Sequence, residues 1–538
     1  MPEPTLTAAS FRRLAFFLCR IRENRCVNGE VRSVPGILPS WPAGAVILTN
    51  MNKQSLVRIV IVALGLPSTA SIAWATSEPV SSTVAISHVT VIDATGSPSQ
   101  PDMTVVIEGD RITALGRSDR VSVPGNARIV DASDKFLIPG LWDMHAHIAI
   151  YASMKDTRLP LLIANGVTGI RDLGALQDTV AALRRWREEI RAGTLLGPRI
   201  VAAGPILDGP AGGNRAFAMI STEEEARQAV IDLKRQGFDF AKVYSALSRP
   251  AYLAIVDEAK RQHFPFAGHV PRILSASEAS NLGQRSIEHL TGVLVATSAR
   301  EEELMKESGA AATMEPTARA KAYRRIEAES AESHSAEKAD RLFATFARNG
   351  TWQCPTLTVL RSELARQDAR FTQDARLKYV APATRRSWDP ASNPAARLDE
   401  AELNAEARIY QRQLALVREM QRAGVGILAG TDMGNPYCFP GSGLHDELEL
   451  MVEAGLTPMQ ALQTATLNPA RYLGRDDEVG SIGVGKLADL VLLDADPLVD
   501  IGNVRRIRAV VVGGRILDRP QLDQLLQSAE RAVNRSAR

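Results

Sequence analysis

Residues 136–147 have the sequence Phe-Leu-Ile-Pro-Gly-Leu-Trp-Asp-Met-His-Ala-His, an apolar run that ends in two histidines. On a β-strand, side chains two positions apart point to the same face. His145 and His147 can therefore reach one metal ion together from the end of a buried strand. Taken alone, two histidines near a strand end are more often ordinary packing residues. Further ligand candidates at the ends of later predicted strands favour a metal site here.

The chain after this stretch alternates between short apolar runs and amphipathic helical patterns. The first predicted strand covers 141–147, and the others cover 167–170, 199–203, 240–244, 266–269, 286–289, 352–357 and 426–430. Helical patterns lie between them, for example at 178–190, 222–236, 249–262 and 400–422. Eight strands alternating with helices predict an α/β fold, a (β/α)8 TIM-type barrel over residues 140–478. Polar segments at about 291–350 and 362–400 are expected to be helical additions on the late loops and candidate lids.

Short strand patterns also occur at both ends of the chain. Residues 84–139 contain several of them, with Gly109-Asp110 as a hairpin turn, and residues 490–517 contain three more. Neither group has enough apolar residues for a core of its own. We expect residues 76–139 and 479–538 to combine into one small β-sandwich, the second part of which includes the C-terminal tail.

The composition is that of a globular protein with one large and one smaller domain. The chain has 538 residues, of which 45% are hydrophobic and 23% charged. Residues 1–75 carry eight basic and three acidic side chains, which leaves a net charge of −3 on the remainder. A mildly acidic body of this kind gives no indication of nucleic-acid binding. We expect a small-molecule substrate instead, in a monomer or a homo-oligomer.

Residues 51–75 have the three-part pattern of a secretory signal peptide. Residues 51–58 form a short basic opening, 59–66 an apolar run, and Ala73-Trp74-Ala75 places small residues before a cleavage point at Thr76. We therefore expect residues 1–50 to be an over-extended N-terminus, and the mature protein to be periplasmic or secreted without a stable membrane anchor. The alternatives are a buried helix or a genuine extension with a membrane anchor, for which the apolar run is short.

Two cysteines, Cys354 and Cys438, remain after this cleavage point. Two cysteines do not make a disulfide framework. An oxidising compartment would permit a bridge between them, and the sequence leaves their pairing open.

Four further ligand candidates lie at the ends of later predicted strands: Lys242, His269, His289 and Asp432. Each has an ordinary alternative role, as a lysine whose amine reaches solvent, a hydrogen-bonded core histidine, or an aspartate in a turn or N-cap. Lys242 is flanked by apolar residues, and a lysine carboxylated by CO2 would bridge two metals there as a carboxylate does. A barrel brings all its strand ends to one rim, which favours the shared site over six separate roles.

Several motifs resemble those of the amidohydrolase superfamily. They are residues 139–147, 166–172, 242–244, 268–269, 288–290, 430–432 and 466–470, followed by Gly-Ser-Ile-Gly-Val-Gly-Lys-Leu-Ala-Asp-Leu at 480–490. The resemblance covers residues 84–517. Within this superfamily, the chain is most similar to the imidazolonepropionase-related branch, which includes metal-dependent prolidases and carboxypeptidases.

The resemblance implies a binuclear zinc centre. In that arrangement His145, His147, Lys242 and Asp432 bind the first Zn²⁺, and carboxylated Lys242 bridges it to a second Zn²⁺ held by His269 and His289. The two metals would share a bridging hydroxide that attacks an amide carbonyl. Asp432 would take the proton and pass it to the leaving nitrogen.

Three further residues are candidates for contact with the substrate. Tyr244 stabilises the developing oxyanion or packs in the core, and the two roles carry equal weight. Arg171 binds a substrate carboxylate or forms a salt bridge with Asp172 or another acid of the rim. His445 contacts substrate, or caps and packs the helix after the eighth strand.

The leading hypothesis is a hydrolase of amide bonds in dipeptides or N-acyl amino acids. A cyclic-amide hydrolase of the imidazolonepropionase type is the first alternative, but that pattern is mononuclear and lacks the lysine found at Lys242. A deaminase would be expected to have a glutamate near His269, and none is present there. A non-catalytic periplasmic binding protein is the alternative from another class, and the complete ligand set argues against it.

Overall fold

The protein was analysed as a computed structural model, which describes residues 83–150, 154–212, 217–366, 368–392 and 397–536. All of them belong to one compact unit, Glu78–Arg538. The predicted N-terminal extension at 1–50 and the predicted signal peptide at 51–75 lie outside the described residues. Within the described ranges, no helix is both long enough and apolar enough to span a membrane.

Strands and helices alternate through the middle of the chain, and strands cluster at its two ends. The strands are β1 Val84–Val91, β2 Gln100–Glu108, β3 Arg111–Arg117, β4 Arg128–Asp131, β5 Phe136–Pro139, β6 Leu141–Ala146, β7 Val167–Asp172, β8 Arg199–Ala202, β9 Leu207–Asp208, β10 Ala218–Met219, β11 Ala241–Val243, β12 Phe266–Gly268, β13 Ser286–Glu288, β14 Trp352–Cys354, β15 Leu490–Leu493, β16 Ile507–Val512 and β17 Arg515–Asp518.

The α-helices include several short ones late in the chain. They are α1 Lys155–Ala164, α2 Val180–Arg191, α3 Glu223–Arg235, α4 Arg249–Gln262, α5 Ala276–Asn281, α6 Val293–Ala296, α7 Glu301–Ala311, α8 Pro316–Glu332, α9 Ala336–Asn349, α10 Leu357–Leu360, α11 Ser362–Ala365, α12 Ala369–Thr372, α13 Pro382–Trp388, α14 Glu400–Arg422, α15 Ser442–Glu453, α16 Pro458–Thr464, α17 Leu467–Leu473 and α18 Arg519–Ser536. Short 3-10 helices occur at Pro210–Gly212, Ala375–Tyr379 and Ile501–Arg505.

The two chain ends form one eight-stranded sheet. Its order is β17-β16-β15-β5-β1-β2-β3, and β4 pairs with β1. The contact between the ends is the antiparallel pair β15–β5, with Val491 opposite Ile138. Buried side chains from both ends share one apolar cluster, which includes Val105, Leu137 and Val511. The prediction that the two ends combine is therefore correct.

The middle of the chain forms two parallel sheets, with orders β6-β7-β8 and β10-β9-β11-β12-β13-β14. The strands β6, β7, β11, β12 and β13 are buried at every residue, as expected for parallel strands covered on both faces. The eighth predicted strand, 426–430, forms only an isolated parallel bridge. Its backbone nevertheless bonds to both neighbours, since Leu428 N donates to Gln353 O at 2.8 Å and Met144 N donates to Ala429 O at 2.9 Å. This segment thus connects β14 to β6.

Helix boundaries follow local sequence signals. Helix α3 begins with a capping box between Thr222 and Glu225, and α14 begins with another between Asp399 and Glu402. Each box satisfies backbone N–H groups that the first helical turn would leave unpaired. The segments predicted as helical additions are helical, from α6 to α13. The fold class, α/β, is confirmed.

Candidate metal centre

The six predicted metal ligands lie at the carboxyl ends of the parallel strands. His145 is the second-last residue of β6 and His147 follows the strand, while Lys242 lies within β11. His269 and His289 come directly after β12 and β13, and Asp432 follows the segment 426–430. The carboxyl ends of parallel strands form one edge, where α/β proteins bind ligands.

The structure brings these side chains together around the Asp432 carboxylate. His147 Nε2 lies 3.2 Å and His145 Nε2 3.8 Å from Asp432 Oδ1. His289 Nε2 is 3.6 Å from Asp432 Oδ2. One ligand atom from each of His145, His147 and Asp432 falls within 4.8 Å of the others, which is a spacing that one metal ion can bridge. The His269 ring lies beside this group, with its centroid 4.9 Å from that of His289.

All four histidines are anchored through Nδ1. His145 Nδ1 bonds to Glu288 Oε2 at 2.9 Å, and His147 Nδ1 bonds to the Gly174 carbonyl at 3.1 Å. The partners of the other two are hydroxyls: Ser245 for His269 at 2.8 Å and Thr356 for His289 at 2.6 Å. A carboxylate or carbonyl partner requires a proton on Nδ1, which leaves the lone pair of Nε2 free. Such anchoring is typical of metal-binding histidines.

Electrostatics favour neutral imidazoles at three of these positions. Burial lowers the pKa of His145 and His269 well below the usual range, and lowers that of His289 to about 4. Burial also opposes protonation of His147, but its hydrogen bond with Asp432 outweighs this and raises its pKa. Burial would raise the pKa of Asp432, yet the surrounding histidines lower it, so the carboxylate is ionised. Neutral imidazoles and a carboxylate are suitable ligands for Zn²⁺.

Two buried nitrogens at the centre have no partner. Lys242 Nζ and His269 Nε2 make no hydrogen bond to any part of the chain that the structure describes. Lys242 is 1% exposed, and burial lowers the pKa of its ammonium to about 8. An unpaired polar group in such a place is costly, so it indicates a missing partner. The two unpaired nitrogens, next to the group of His145, His147 and Asp432, therefore fit a metal-binding site at this edge.

Three residues at the same place have a strained backbone. His289, Thr356 and Asp432 have φ angles of +57°, +50° and +48°, in the left-handed region that residues with a Cβ rarely adopt. Each such residue costs about 1–3 kcal/mol, which the surrounding structure must offset. Two of the three are predicted ligands, and the third anchors His289. The strain therefore sets the direction of the ligand side chains.

Comparison with known proteins agrees with this geometry. Residues 136–517, more than two thirds of the chain, match the Amidohydrolase family. The chain belongs to the amidohydrolase family. The predicted resemblance is thereby confirmed, and so is the enzyme class, a hydrolase of carbon–nitrogen bonds.

The relatives of this amidohydrolase act on several substrates. The ochratoxinase of Aspergillus niger is 25% identical over 449 residues, which cover 71% of this chain and 76% of that enzyme. A bottromycin amidohydrolase of known structure has a TM-score of 0.66 and 26% identity, over 84% of this chain and 90% of its own. A structure from Bifidobacterium longum with the description "putative prolidase" has a TM-score of 0.61 and 25% identity, over 84% of this chain and 100% of its own. A shorter match of 32% identity over 123 residues, 28% of the enzyme, relates the chain to the imidazolonepropionase of Geobacillus sp. (strain WCH70).

Arg171 of this amidohydrolase occupies a salt-bridge position, which was one of the two roles considered for it. The side chain is completely buried, and its guanidinium donates to both oxygens of Glu288 at 2.9 and 3.0 Å. It also donates to the Met144 carbonyl and the Tyr472 hydroxyl. The salt-bridge alternative allowed Asp172 or another acid of the rim, and the partner observed is such an acid, Glu288.

His445 is also removed from the substrate side. It is 1% exposed in α15, and its Nε2 bonds to the Asn165 carbonyl at 2.9 Å. Burial lowers its pKa to about 4, so it is a neutral donor that packs α15 against the chain before β7. The packing alternative is therefore the one observed.

Tyr244, by contrast, lies beside the candidate metal ligands and lines the cavity. Its ring stacks on His269 with centroids 3.9 Å apart, and it lines the cavity beside the metal centre. Burial raises the pKa of its hydroxyl to about 12, so the phenol keeps its proton and can donate a hydrogen bond.

A cavity of about 580 Å³ opens beside the centre. Tyr244, His269 and His289 form its inner wall, and residues of α6, α7 and α8 form the outer wall. Helices predicted as lids thus enclose the space next to the metal ligands. Its volume suits a small molecule.

Sequence reasoning missed Glu288 as part of the site. It is fully buried and supports His145 from the side opposite to the metal. A glutamate inside the apolar run Ser286-Ile287-Glu288 was the available signal, because a buried carboxylate needs a charged or metal-bound partner.

The two free thiols, Cys354 and Cys438, are both buried and unbridged.

Proposed function

We propose that this amidohydrolase hydrolyses the amide bond of dipeptides or N-acyl amino acids with two zinc ions. The observation that carries the proposal is the ligand arrangement at the strand ends. Four histidines have anchored Nδ1 atoms, three of them lie within 4 Å of Asp432, and Lys242 has an unpaired buried amine. The similarity to a prolidase supports the choice of peptide-like amides.

The proposed ligands are divided between two metals. His145, His147 and Asp432 would hold the first, His269 and His289 would hold the second, and Lys242 would contribute to both as a carbamate. The lowered pKa of Lys242 supports this, because the neutral amine is the form that adds CO2 and releases a proton. Zinc at these ligands would supply Lewis acidity, which lowers the pKa of water and polarises an amide carbonyl.

The protein's own groups then move the proton and stabilise charge. Asp432, ionised and close to three imidazoles, accepts the proton of the attacking water at Oδ1 or Oδ2 and delivers it to the leaving nitrogen. Tyr244 donates its hydroxyl proton in a hydrogen bond to the oxygen that becomes negative. The enclosing helices α7 and α8 limit access of bulk water to the cavity.

The architecture that we propose for this amidohydrolase is a closed (β/α)8 barrel with a β-sandwich. Hydrogen bonds between the two parallel sheets support closure at two places. At one, residues 426–430 bond to both β14 and β6. At the other, Asp239 N donates to the Ala202 carbonyl of β8 at 2.9 Å. The predicted boundaries remain 76–139, 140–478 and 479–538. Export to the periplasm also remains a prediction, and N-terminal sequencing of protein from the native host tests for a start at Thr76.

A substrate screen tests the activity. Purified protein is assayed against dipeptides and N-acyl amino acids after treatment with a chelator, and again after Zn²⁺ is restored. Hydrolysis that returns with Zn²⁺ supports the proposal. A preference for cyclic amides would favour the imidazolonepropionase-type alternative, and binding of the same compounds without hydrolysis would favour the binding protein.

A further inference from the structure

One arginine in the cavity wall is held by an aromatic ring, and it forms no salt bridge with any residue whose position is described. Arg272 follows the metal-ligand candidate His269 by three residues and lines the cavity. Its guanidinium carbon lies 3.6 Å from the centroid of the Tyr323 ring, which belongs to α8. Stacking on an aromatic face fixes the plane of a guanidinium and leaves its N–H groups free at the edges.

The other charged groups that line the cavity are already engaged. Arg319 donates to the carbonyls of Ala211 and Ala312, and Glu301 pairs with Lys338 at 2.6 Å. Asp208 accepts a hydrogen bond from the backbone of Ala246 at 2.8 Å. For Arg272, by comparison, no acid lies within 4.0 Å of the guanidinium and no group accepts from it among residues with described positions.

The remaining acid in this wall, Glu327, acts on Arg272 without forming a salt bridge. It lines the same cavity but forms no ion pair with Arg272 within the described structure. Burial raises the pKa of the Glu327 carboxyl, and the charge of Arg272 opposes part of this rise. Among the described residues the wall therefore presents one fork of donors that no salt bridge occupies, with Glu327 and Asp208 acting on its charge only from beyond ion-pair distance. A fork of this kind matches a carboxylate, which it can bind through two parallel hydrogen bonds.

We propose that Arg272, stacked on Tyr323, binds the free carboxylate of the substrate and so selects amides with a terminal carboxylate. This assignment rests on the proposed function and gives its carboxylate a partner that Arg171, being buried, cannot provide. Apolar side chains from Leu294, Met305 and Ile326 line the same cavity. The substrate class is therefore an acylated or aminoacylated amino acid with an apolar side chain.

The test compares a carboxylate with its neutral analogue at equilibrium. The probes are 3-phenylpropanoate and 3-phenylpropanamide, which have an apolar group and differ only in the charged end. Isothermal titration of the full protein is expected to give at least about tenfold tighter binding of the acid, the range of one charge-assisted contact. Arg272→Met is expected to remove this preference and leave the affinity for the amide unchanged.

Two further variants make the result specific. Arg325→Met removes a charge from the same helix as Tyr323, but Arg325 is exposed and paired with Glu307 and Glu329, so the preference for the acid should persist. Arg272→Gln serves as a second uncharged variant, and circular dichroism checks that each protein is folded. An unchanged preference in folded Arg272→Met or Arg272→Gln overturns the assignment, as does a wild-type protein without any preference.

The binding test is independent of catalysis. If the substrate screen fails but the preference depends on Arg272, the proposed function is wrong and the carboxylate site stands. If hydrolysis occurs but the preference for the acid survives removal of Arg272, the proposed function stands and the carboxylate site is wrong.

Discussion

Glu288 Oε2 lies 2.9 Å from Nδ1 of His145, and both side chains are fully buried behind the metal centre. The carboxylate accepts a hydrogen bond from the N–H at Nδ1. This leaves the lone pair of His145 Nε2 directed at Asp432. Arg171 holds the same carboxylate from the other side. Glu288 therefore fixes the orientation of His145, a candidate metal ligand, from within the core.

Glu288→Gln is expected to weaken metal binding by about 10–100-fold, the usual effect of losing such a support. The amide keeps the size of the side chain but lacks the charge that favours a proton on Nδ1. Zinc affinity measured by competition with a chelator gives the result. Glu303→Gln, at an exposed ion pair with Arg300, is the control and should bind zinc like the wild type. Equal affinities for the wild type and Glu288→Gln would show that the pair has no part in metal binding.

Arg171→Met is expected to destabilise the protein by about 3–5 kcal/mol, because it leaves the Glu288 carboxylate buried without its cation. Denaturant unfolding of the two proteins measures this difference. KM for the best substrate should stay near the wild-type value at temperatures where the variant is folded. A large increase in KM with unchanged stability would instead restore the substrate-binding role considered from the sequence.

Asp432→Asn is expected to lose about 10²–10⁴-fold in kcat, the range for removal of a general base, while remaining folded and largely metal-loaded. The amide keeps one oxygen ligand but cannot accept the proton. His145→Ala is the matched comparison, and it should lose metal as well as activity. If Asp432→Asn keeps more than about a tenth of the wild-type kcat, Asp432 is not the proton carrier.

The sequence predicted the positions of the strands and metal-ligand candidates because both have local signals. Short apolar runs that end in His145, His269 or His289 indicate where strands end, and parallel strands have to end at one edge. The segment 426–430 was predicted as a strand but lacks a regular ladder. A Cβ at Gly430 would lie 2.6 Å from Cys354 Sγ, so the chain packs too closely there for an ordinary strand residue.

The substrate side was predicted less well, since its contacts depend on which elements are neighbours. Arg171 and His445 are polar residues near strand or helix ends, and nothing local shows that Glu288 and the Asn165 carbonyl bury them. Arg272 was missed for the opposite reason. It lies in a loop without periodicity, and only the packing of α8 places Tyr323 against it.

Metal analysis of the wild type and Lys242→Met, each purified without chelator, tests the central claim most directly. The account predicts about two zinc ions per chain in the wild type and loss of at least one in Lys242→Met, because methionine fills the space but cannot form the bridging carbamate. A firm value of one metal in the wild type, or two metals retained by folded Lys242→Met, would contradict the binuclear centre.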